Sequence, residues 1–318
     1  MFLLISGIML KLDWVLMLTT MDLEFGGIHS SKDGQLLLLL ALVGLELVNC
    51  KDHLLENYVA FAKVECDGSL IAVKEVSLLD QGSQGKQSVS QLEQEIDLLS
   101  RFEHENIVRY FGTNKDESKL YIFLELVRGS LLDLYRKYNL QDSQVSTYTR
   151  QILHGLKYLH DRDVVHRDIK CANILVDTSG SVKLADFGLA KATKFNDLLS
   201  CKGTAFWMAP EVVNRKNQGY GLPADIWSLG CTVLEMLTRQ IPYADLEPMP
   251  ALFKIGKGEP PPVPDSLSKD ARDFIFQCLK SNPDDRPTAA RLLEHPFVKK
   301  PLPTSSGSLS PHSIARRS

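Results

Sequence analysis

No CxxC pair occurs among the six cysteines, at positions 50, 66, 171, 201, 231 and 278, and the eight histidines form no ligand-spaced cluster with them. A zinc site built on paired thiolates and a disulfide framework are therefore excluded, and a reducing compartment, the cytoplasm, fits best, with the cysteines as small buried hydrophobes. An excess of positive charge is missing too. The 36 Lys+Arg against 39 Asp+Glu give a net charge of -3, so no basic field exists to attract nucleic acid through counterion release. Long hydrophobic spans are also lacking: Met1 to Leu10 and Leu36 to Leu45 stop at ten residues, short of the roughly 18 that cross a bilayer. Met1 to Leu10 carries no basic residue, so a secretory signal is not expected. Internal repeats are absent.

What is present is an ordinary globular composition. The 318 residues are 44% hydrophobic, 24% charged and 8% aromatic, which excludes a wholly disordered chain, collagen and coiled coil. At about 150 residues per domain, the length fits two domains or one domain of two lobes. Residues 1–53 form an atypical apolar segment, uninformative about chemistry, and periodicity becomes legible from residue 54. Leu70-Ile71-Ala72-Val73, followed by Lys74, Val76 and Leu78, reads as a strand. Gly82, Ser83 and Gly85 mark a loop. Leu92, Ile96 and Leu99 then share one helical face, and Glu95 lies on it. A buried carboxylate is costly unless a cation meets it, and Lys74 is the nearest strand-borne candidate.

Further along, Leu120 to Leu126 is an apolar strand, and Asp142-Ser143 is placed to cap a helix carrying Tyr148, Ile152, Leu156 and Leu159. Ile174-Leu175-Val176 and Val182-Lys183-Leu184 flank Asp177-Thr178-Ser179-Gly180, which predicts a hairpin. Asp225 to Leu237 is apolar nearly all round, as in a core helix, while Ala271, Phe274, Ile275, Cys278 and Leu279 mark an amphipathic one. Pro260-Pro261-Pro262 and Pro264 predict an extended connector, and the Ser- and Pro-rich tail, 299–318, predicts disorder. Strands plus one helix precede mainly helices. That order is an α+β, two-lobed plan.

The chemistry sits in short motifs. Val165-His166-Arg167-Asp168-Ile169-Lys170-Cys171-Ala172-Asn173 places an acid, a base and an amide within six residues on a loop between a helix and a strand. Eighteen residues after Asp168 comes Asp186-Phe187-Gly188, and Ala209-Pro210-Glu211 closes the segment. These motifs in this order, behind Ala72-Val73-Lys74 and an inward Glu95, resemble the eukaryotic protein kinase fold over residues 60 to 298. That fold implies a small β-rich lobe at 54–127 and a large helical lobe at 128–298. The finer texture, EVSLLDQGSQGKQS before LEQEIDLLSRFEHENIVRYFGT, then HRDIKCANILVD and CKGTAFWMAPEVV, is similar to plant mitogen-activated protein kinase kinase kinases of the MEKK type.

The resemblance implies ATP and Mg²⁺ as cofactors and a protein hydroxyl as acceptor, with a MAP kinase kinase as the expected substrate in a signalling cascade. Phosphoryl transfer needs positioning and charge neutralisation more than covalent chemistry. By resemblance, Asp186 and Asn173 hold Mg²⁺, for which hard oxygen ligands are suited. Asp168 takes the proton of the substrate hydroxyl and Lys170 steadies the transferring phosphate. Lys74 holds the α- and β-phosphates while Glu95 fixes it. Adenine is expected between Ala72 and Leu175, with backbone groups of Glu125 and Val127 at the hinge and Leu124 as gatekeeper. Leu99, Tyr110, His166 and Phe187 match the family's apolar column, and Glu211 and Arg286 a buried ion pair. Lys170 and Thr204 resemble serine/threonine rather than tyrosine kinases.

Two departures stand out. Counted back without gaps from Lys74, the glycines of the G-x-G-x-x-G-x-V loop fall at 53, 55 and 58, where His53, Leu55 and Tyr58 stand, and Ala60 replaces the Val. Glycines let the backbone approach phosphates closely, and bulky side chains obstruct that. The hinge, Leu126-Val127-Arg128-Gly129-Ser130, is one residue shorter than in similar kinases. Two explanations stay open: a substituted or wrongly joined N-terminal segment on an active kinase, or a pseudokinase scaffold that has lost ATP handling. The retained Lys74, Glu95, Asp168, Lys170, Asn173 and Asp186 favour the kinase.

By resemblance, Arg167 beside Asp168 implies control by a phosphate between Asp186 and Glu211, where a guanidinium clamps phosphate bidentately. Phosphate is expected on Thr193 or Ser200, with Thr204 left to position substrate. Phosphopeptide mapping of the active chain checks this, and finding neither residue modified contradicts it.

Overall fold

Five strands build the first sheet: β1 (Leu45–Val48), β2 (Val59–Val64), β3 (Leu70–Ser77), β4 (Tyr110–Lys115) and β5 (Lys119–Glu125). The computed structural model describes residues 45–48, 59–64, 70–77, 96, 100–115, 119–127, 129–185, 205–214 and 221–299. The strands pair antiparallel throughout in the order β1-β2-β3-β5-β4. Interior β5 is buried continuously over Leu120–Phe123, so it reads as an apolar run, whereas edge strand β4 alternates half-buried and exposed positions. The register of β3 on β5 sets Ala72 opposite Leu124, Lys74 opposite Ile122 and Ile71 opposite Glu125. β1 lies inside the 1–53 segment that the sequence sets apart, and it pairs with β2, Leu45 opposite Val64 and Val48 opposite Phe61. A short apolar run has no period that separates strand from buried helix, so the sequence carries no strand signal there.

The second sheet has three strands, β6 (Gly129–Ser130), β7 (Ile174–Val176) and β8 (Val182–Leu184), antiparallel in that order. The hairpin expected around residues 177–180 is present: Asp177 Oδ1 accepts the N–H groups of Ser179 at 2.8 Å and Ser181 at 2.9 Å. Gly180 takes φ 83° there, a left-handed conformation that glycine adopts without steric cost.

Eight α-helices are described: α1 (Leu131–Lys137), α2 (Asp142–His160), α3 (Pro210–Val213), α4 (Leu222–Thr238), α5 (Pro248–Gly256), α6 (Lys269–Cys278), α7 (Ala289–Leu292) and α8 (Pro296–Lys299). α1 begins in a capping box, Ser130 Oγ accepting the Asp133 N–H and Asp133 Oδ2 accepting the Ser130 N–H. α2 starts one residue earlier than the sequence suggests: Gln141 is the cap, its N–H donated to Gln144 Oε1 at 2.9 Å. Asp142 is the first helical residue instead, where its carboxylate still meets the positive end of the helix dipole. α6 is capped by Ser268 and buries Ala271, Phe274, Ile275 and Cys278, the face read from the sequence.

α4 is the spine of the large lobe. Every residue from Ala224 to Met236 is buried, and the core around it includes Trp227, Leu156, Phe274 and Phe297. The segment before β4 reaches into this lobe. Val108 donates its N–H to Leu184 O at 3.0 Å, Leu184 donates to Asn106 O at 2.9 Å, and Asn106 Nδ2 donates to Val182 O at 2.9 Å. α2 packs so closely beneath that a Cβ on Gly155 would stand 2.9 Å from Asn106 O.

The expected ion pair is bidentate: Arg286 Nη1 lies 2.7 Å from Glu211 Oε1, and Nη2 lies 2.8 Å from Glu211 Oε2. The guanidinium also donates to the carbonyls of Pro223, Lys280 and Ser281, so its side chain is fully buried and fully engaged. Glu211→Ala leaves that cation buried without its counter-charge. Urea unfolding should show a loss of about 3–5 kcal/mol, and a change under about 0.5 kcal/mol contradicts the structural role.

Candidate active site

The loop between α2 and β7 gathers three of the motif residues. Asp168 Oδ2 lies 3.0 Å from Lys170 Nζ and accepts a 2.6 Å hydrogen bond from Asn173 Nδ2, which also donates to Asp168 O at 3.0 Å. The turn Cys171–Asn173 makes this possible by folding the amide back over the acid. Asp168 Oδ1 is buried and has no hydrogen-bond partner among the described residues. Ala185, the residue before Asp186, donates its N–H to Asn173 O at 3.0 Å, so the chain entering the second motif is pinned to the first. Asp186 itself lies outside the described residues, as do Glu95, Leu99, Phe187, Thr193, Ser200 and Thr204.

The loop is held from below by a residue the sequence did not single out. Asp225, in the first turn of α4, is 1% exposed. Its Oδ2 accepts the N–H of His166 at 2.8 Å and its Oδ1 the N–H of Arg167 at 2.9 Å. His160 Nε2, at the end of α2, lies 2.9 Å from the same Oδ2. Arg167 has φ 73°, a conformation that costs a non-glycine residue energy and persists only where neighbours hold it.

A second buried carboxylate, Glu235, serves the same helix ten residues on. Its Oε1 accepts from Tyr135 of α1 at 2.8 Å, and its Oε2 accepts from Trp207 Nε1 at 3.1 Å and the Cys171 N–H at 3.4 Å. Burial pushes the Glu235 carboxyl above the usual range, and the bonds from Tyr135, Cys171 and Trp207 work against that rise. Burial likewise raises the Tyr135 hydroxyl and the Cys171 thiol, each further lifted by the Glu235 charge. Asp225 and Glu235 had one signal in the sequence: they are the two acids in a stretch that is otherwise apolar, and a charge inside a core must have partners.

The remaining candidates lie along β3, β5, the hinge and β7. Ala72 and Leu124 are cross-strand partners, and Ala72, Lys74, Leu124, Glu125, Val127 and Leu175 are all half-buried. Leu175 is the half-buried centre of β7 between buried Ile174 and Val176, opposite Lys183 of β8. The Glu125 N–H is donated to Arg109 O at 2.8 Å, so that group is not available to a ligand. Among the described residues no group bonds the N–H of Val127. Of the apolar column, Tyr110 packs with Leu124 on the cluster of Ile96, Leu120 and Ile122, and His166 is fully buried. Among the described residues no cluster of His, Cys, Asp or Glu could hold a metal ion, and no helix is long and apolar enough to cross a membrane. Cys171, Cys231 and Cys278 are free and buried.

Comparison with known proteins fits this geometry. The protein kinase domain family matches residues 58–298. Mitogen-activated protein kinase kinase kinase 1 of Arabidopsis thaliana is 70% identical over 251 residues, covering 77% of this chain and 41% of that protein. Mitogen-activated protein kinase kinase kinase 9 of Arabidopsis thaliana is 68% identical over 248 residues, covering 77% of this chain and 32% of its own length. Mitogen-activated protein kinase kinase kinase 1a of Physcomitrium patens is 58% identical over 234 residues, 73% of this chain and 31% of its own. The chain thus spans less than half the length of these relatives.

Proposed function

Since the chain belongs to the protein kinase family, we propose that it transfers the γ-phosphate of ATP to a serine or threonine hydroxyl of a protein, a MAP kinase kinase, in a signalling cascade. The observation that carries this reading is the convergence of Lys170 Nζ and Asn173 Nδ2 on one oxygen of Asp168. Similarity to kinases that bear the name mitogen-activated protein kinase kinase kinase supports the choice of substrate. Free buried cysteines support a reducing compartment, the cytoplasm. Neither the fold nor the relatives add support to a pseudokinase scaffold, and the family match begins at residue 58, beyond the His53 and Leu55 positions where two glycines are missing.

Asn173 fits a magnesium ligand by its donor chemistry. Its Nδ2 is engaged by Asp168, which leaves Oδ1 as the hard oxygen for a cation, with Asp186 as the second ligand. Magnesium-ATP, when bound, supplies the electrophilic phosphoryl group. Lys74 would hold its α- and β-phosphates with Glu95 fixing Lys74, and Ala72 and Leu175 would enclose the adenine with Leu124 as gatekeeper. The carbonyl of Glu125 and the N–H of Val127 meet its edge. Asp168 would receive the hydroxyl proton through Oδ1, the oxygen with no partner among the described residues, and Lys170 would steady the phosphoryl group as it moves.

Lys74→Met should lose phosphate positioning with the fold intact, and Asp186→Asn should lose the metal ligand. Each should lower the rate of transfer to a generic protein substrate by about 100-fold or more. Parental rates in both variants contradict the roles, and a parent chain with no affinity for ATP, with or without Mg²⁺, overturns the enzyme reading.

A further inference from the structure

An ion pair joins the two sheets. Lys183 Nζ, at the centre of β8, lies 2.9 Å from Glu125 Oε2, at the end of β5. The same oxygen accepts the N–H of Arg109 at 3.1 Å, while the Glu125 N–H is donated back to Arg109 O at 2.8 Å. Arg109 continues directly from Asn106 and Val108, whose backbones bond to Leu184 on the other flank of β8. A closed ring results: hinge strand to Arg109, Arg109 through its neighbours to β8, and β8 back to the hinge through Lys183.

On the kinase reading above, the ends of this ring have different duties. Glu125 belongs to the hinge that meets adenine, and Lys183 stands three residues before Asp186, the proposed metal ligand. We propose that Glu125 and Lys183 are positioning residues for the nucleotide: their ion pair fixes the distance between the adenine edge and the strand that delivers Asp186. Neither side chain has to touch ATP for this. β8 is held within the large lobe by its pairing with β7, by Asn106 Nδ2 on Val182 O and by the Ala185 N–H on Asn173 O, and the ion pair, formed on the opposite side of β8 from the buried Val182 and Leu184, adds the tie from this strand to the hinge. The side chains are 17% and 29% exposed, so the pair is partly screened and its effect is moderate.

Four full-length variants test the inference. Lys183→Met removes the cation, Glu125→Gln keeps an acceptor for the Arg109 N–H but removes the charge, and the double variant closes a thermodynamic cycle. Lys183→Arg keeps the cation. Equilibrium binding of MgATP should weaken about two- to tenfold in each single variant. The double variant should be no weaker than either, because the same pair is lost once, and Lys183→Arg should stay near the parent. Amide exchange over residues 182–185 should quicken in Lys183→Met without a matching loss across α4. Parental MgATP affinity in Lys183→Met, or additive losses in the double variant, overturn the proposal. If the parent binds no ATP, the kinase reading fails by that result, and unchanged exchange over 182–185 would separately remove the joint.

Discussion

One carboxylate, that of Asp225, carries the loop of Asp168, Lys170 and Asn173. It is buried in the first turn of α4, a helix enclosed by the core on all sides, and it accepts two consecutive backbone N–H groups from the loop above. Hydrogen bonds to a charged group contribute about 1.5–3 kcal/mol each, which is comparable to the strain of Arg167 in its left-handed conformation. The loop can therefore keep a turn that its own residues disfavour. Asp168 follows Arg167 directly, so the direction of its side chain is set by that turn, and Asn173 and Lys170 are in turn set by Asp168. Removing the carboxylate takes away the first link in this order.

Buried charge is organised around α4 more generally. Asp225 supports the loop at one end of the helix, and near the other end Glu235 joins α1, Cys171 and Trp207. Arg286 lies with its guanidinium 5.2 Å from the Trp227 ring centre and is paired to Glu211. Each of these groups would be costly alone in a core and is matched by several partners. Polar contacts thereby locate the surface segments on an apolar scaffold that, by itself, has no direction.

The sequence made the chemistry more legible than the architecture that holds it. Asp168, Lys170 and Asn173 lie within six residues, so local spacing suffices to group them, and hairpin 174–184 and helix α6 follow from turn residues and period. Asp225 and Glu235 escape such reading because their partners stand 59 and 100 residues away in His166 and Tyr135. The start of α2 at Gln141 depends on a reciprocal bond with Gln144 that propensity does not weigh, since Asp142 and Ser143 are the better caps by residue type. β1 is specified by its pairing with β2 rather than by any pattern of its own. The hinge shows the same limit: the sequence offers only the backbone of Glu125 as an expected contact, while its side-chain tie to Lys183 is a property of the fold.

Asp225→Asn is the most direct test of this dependence, because it is isosteric and leaves a single acceptor oxygen for two N–H groups. The measurement is the rate of phosphoryl transfer at saturating MgATP, taken with the nucleotide affinity of the same folded sample. The expected result is a rate lowered by about tenfold or more, with MgATP affinity close to that of the parent. Transfer at the parental rate would contradict it, since Asp168 would then hold its place without the carboxylate beneath it.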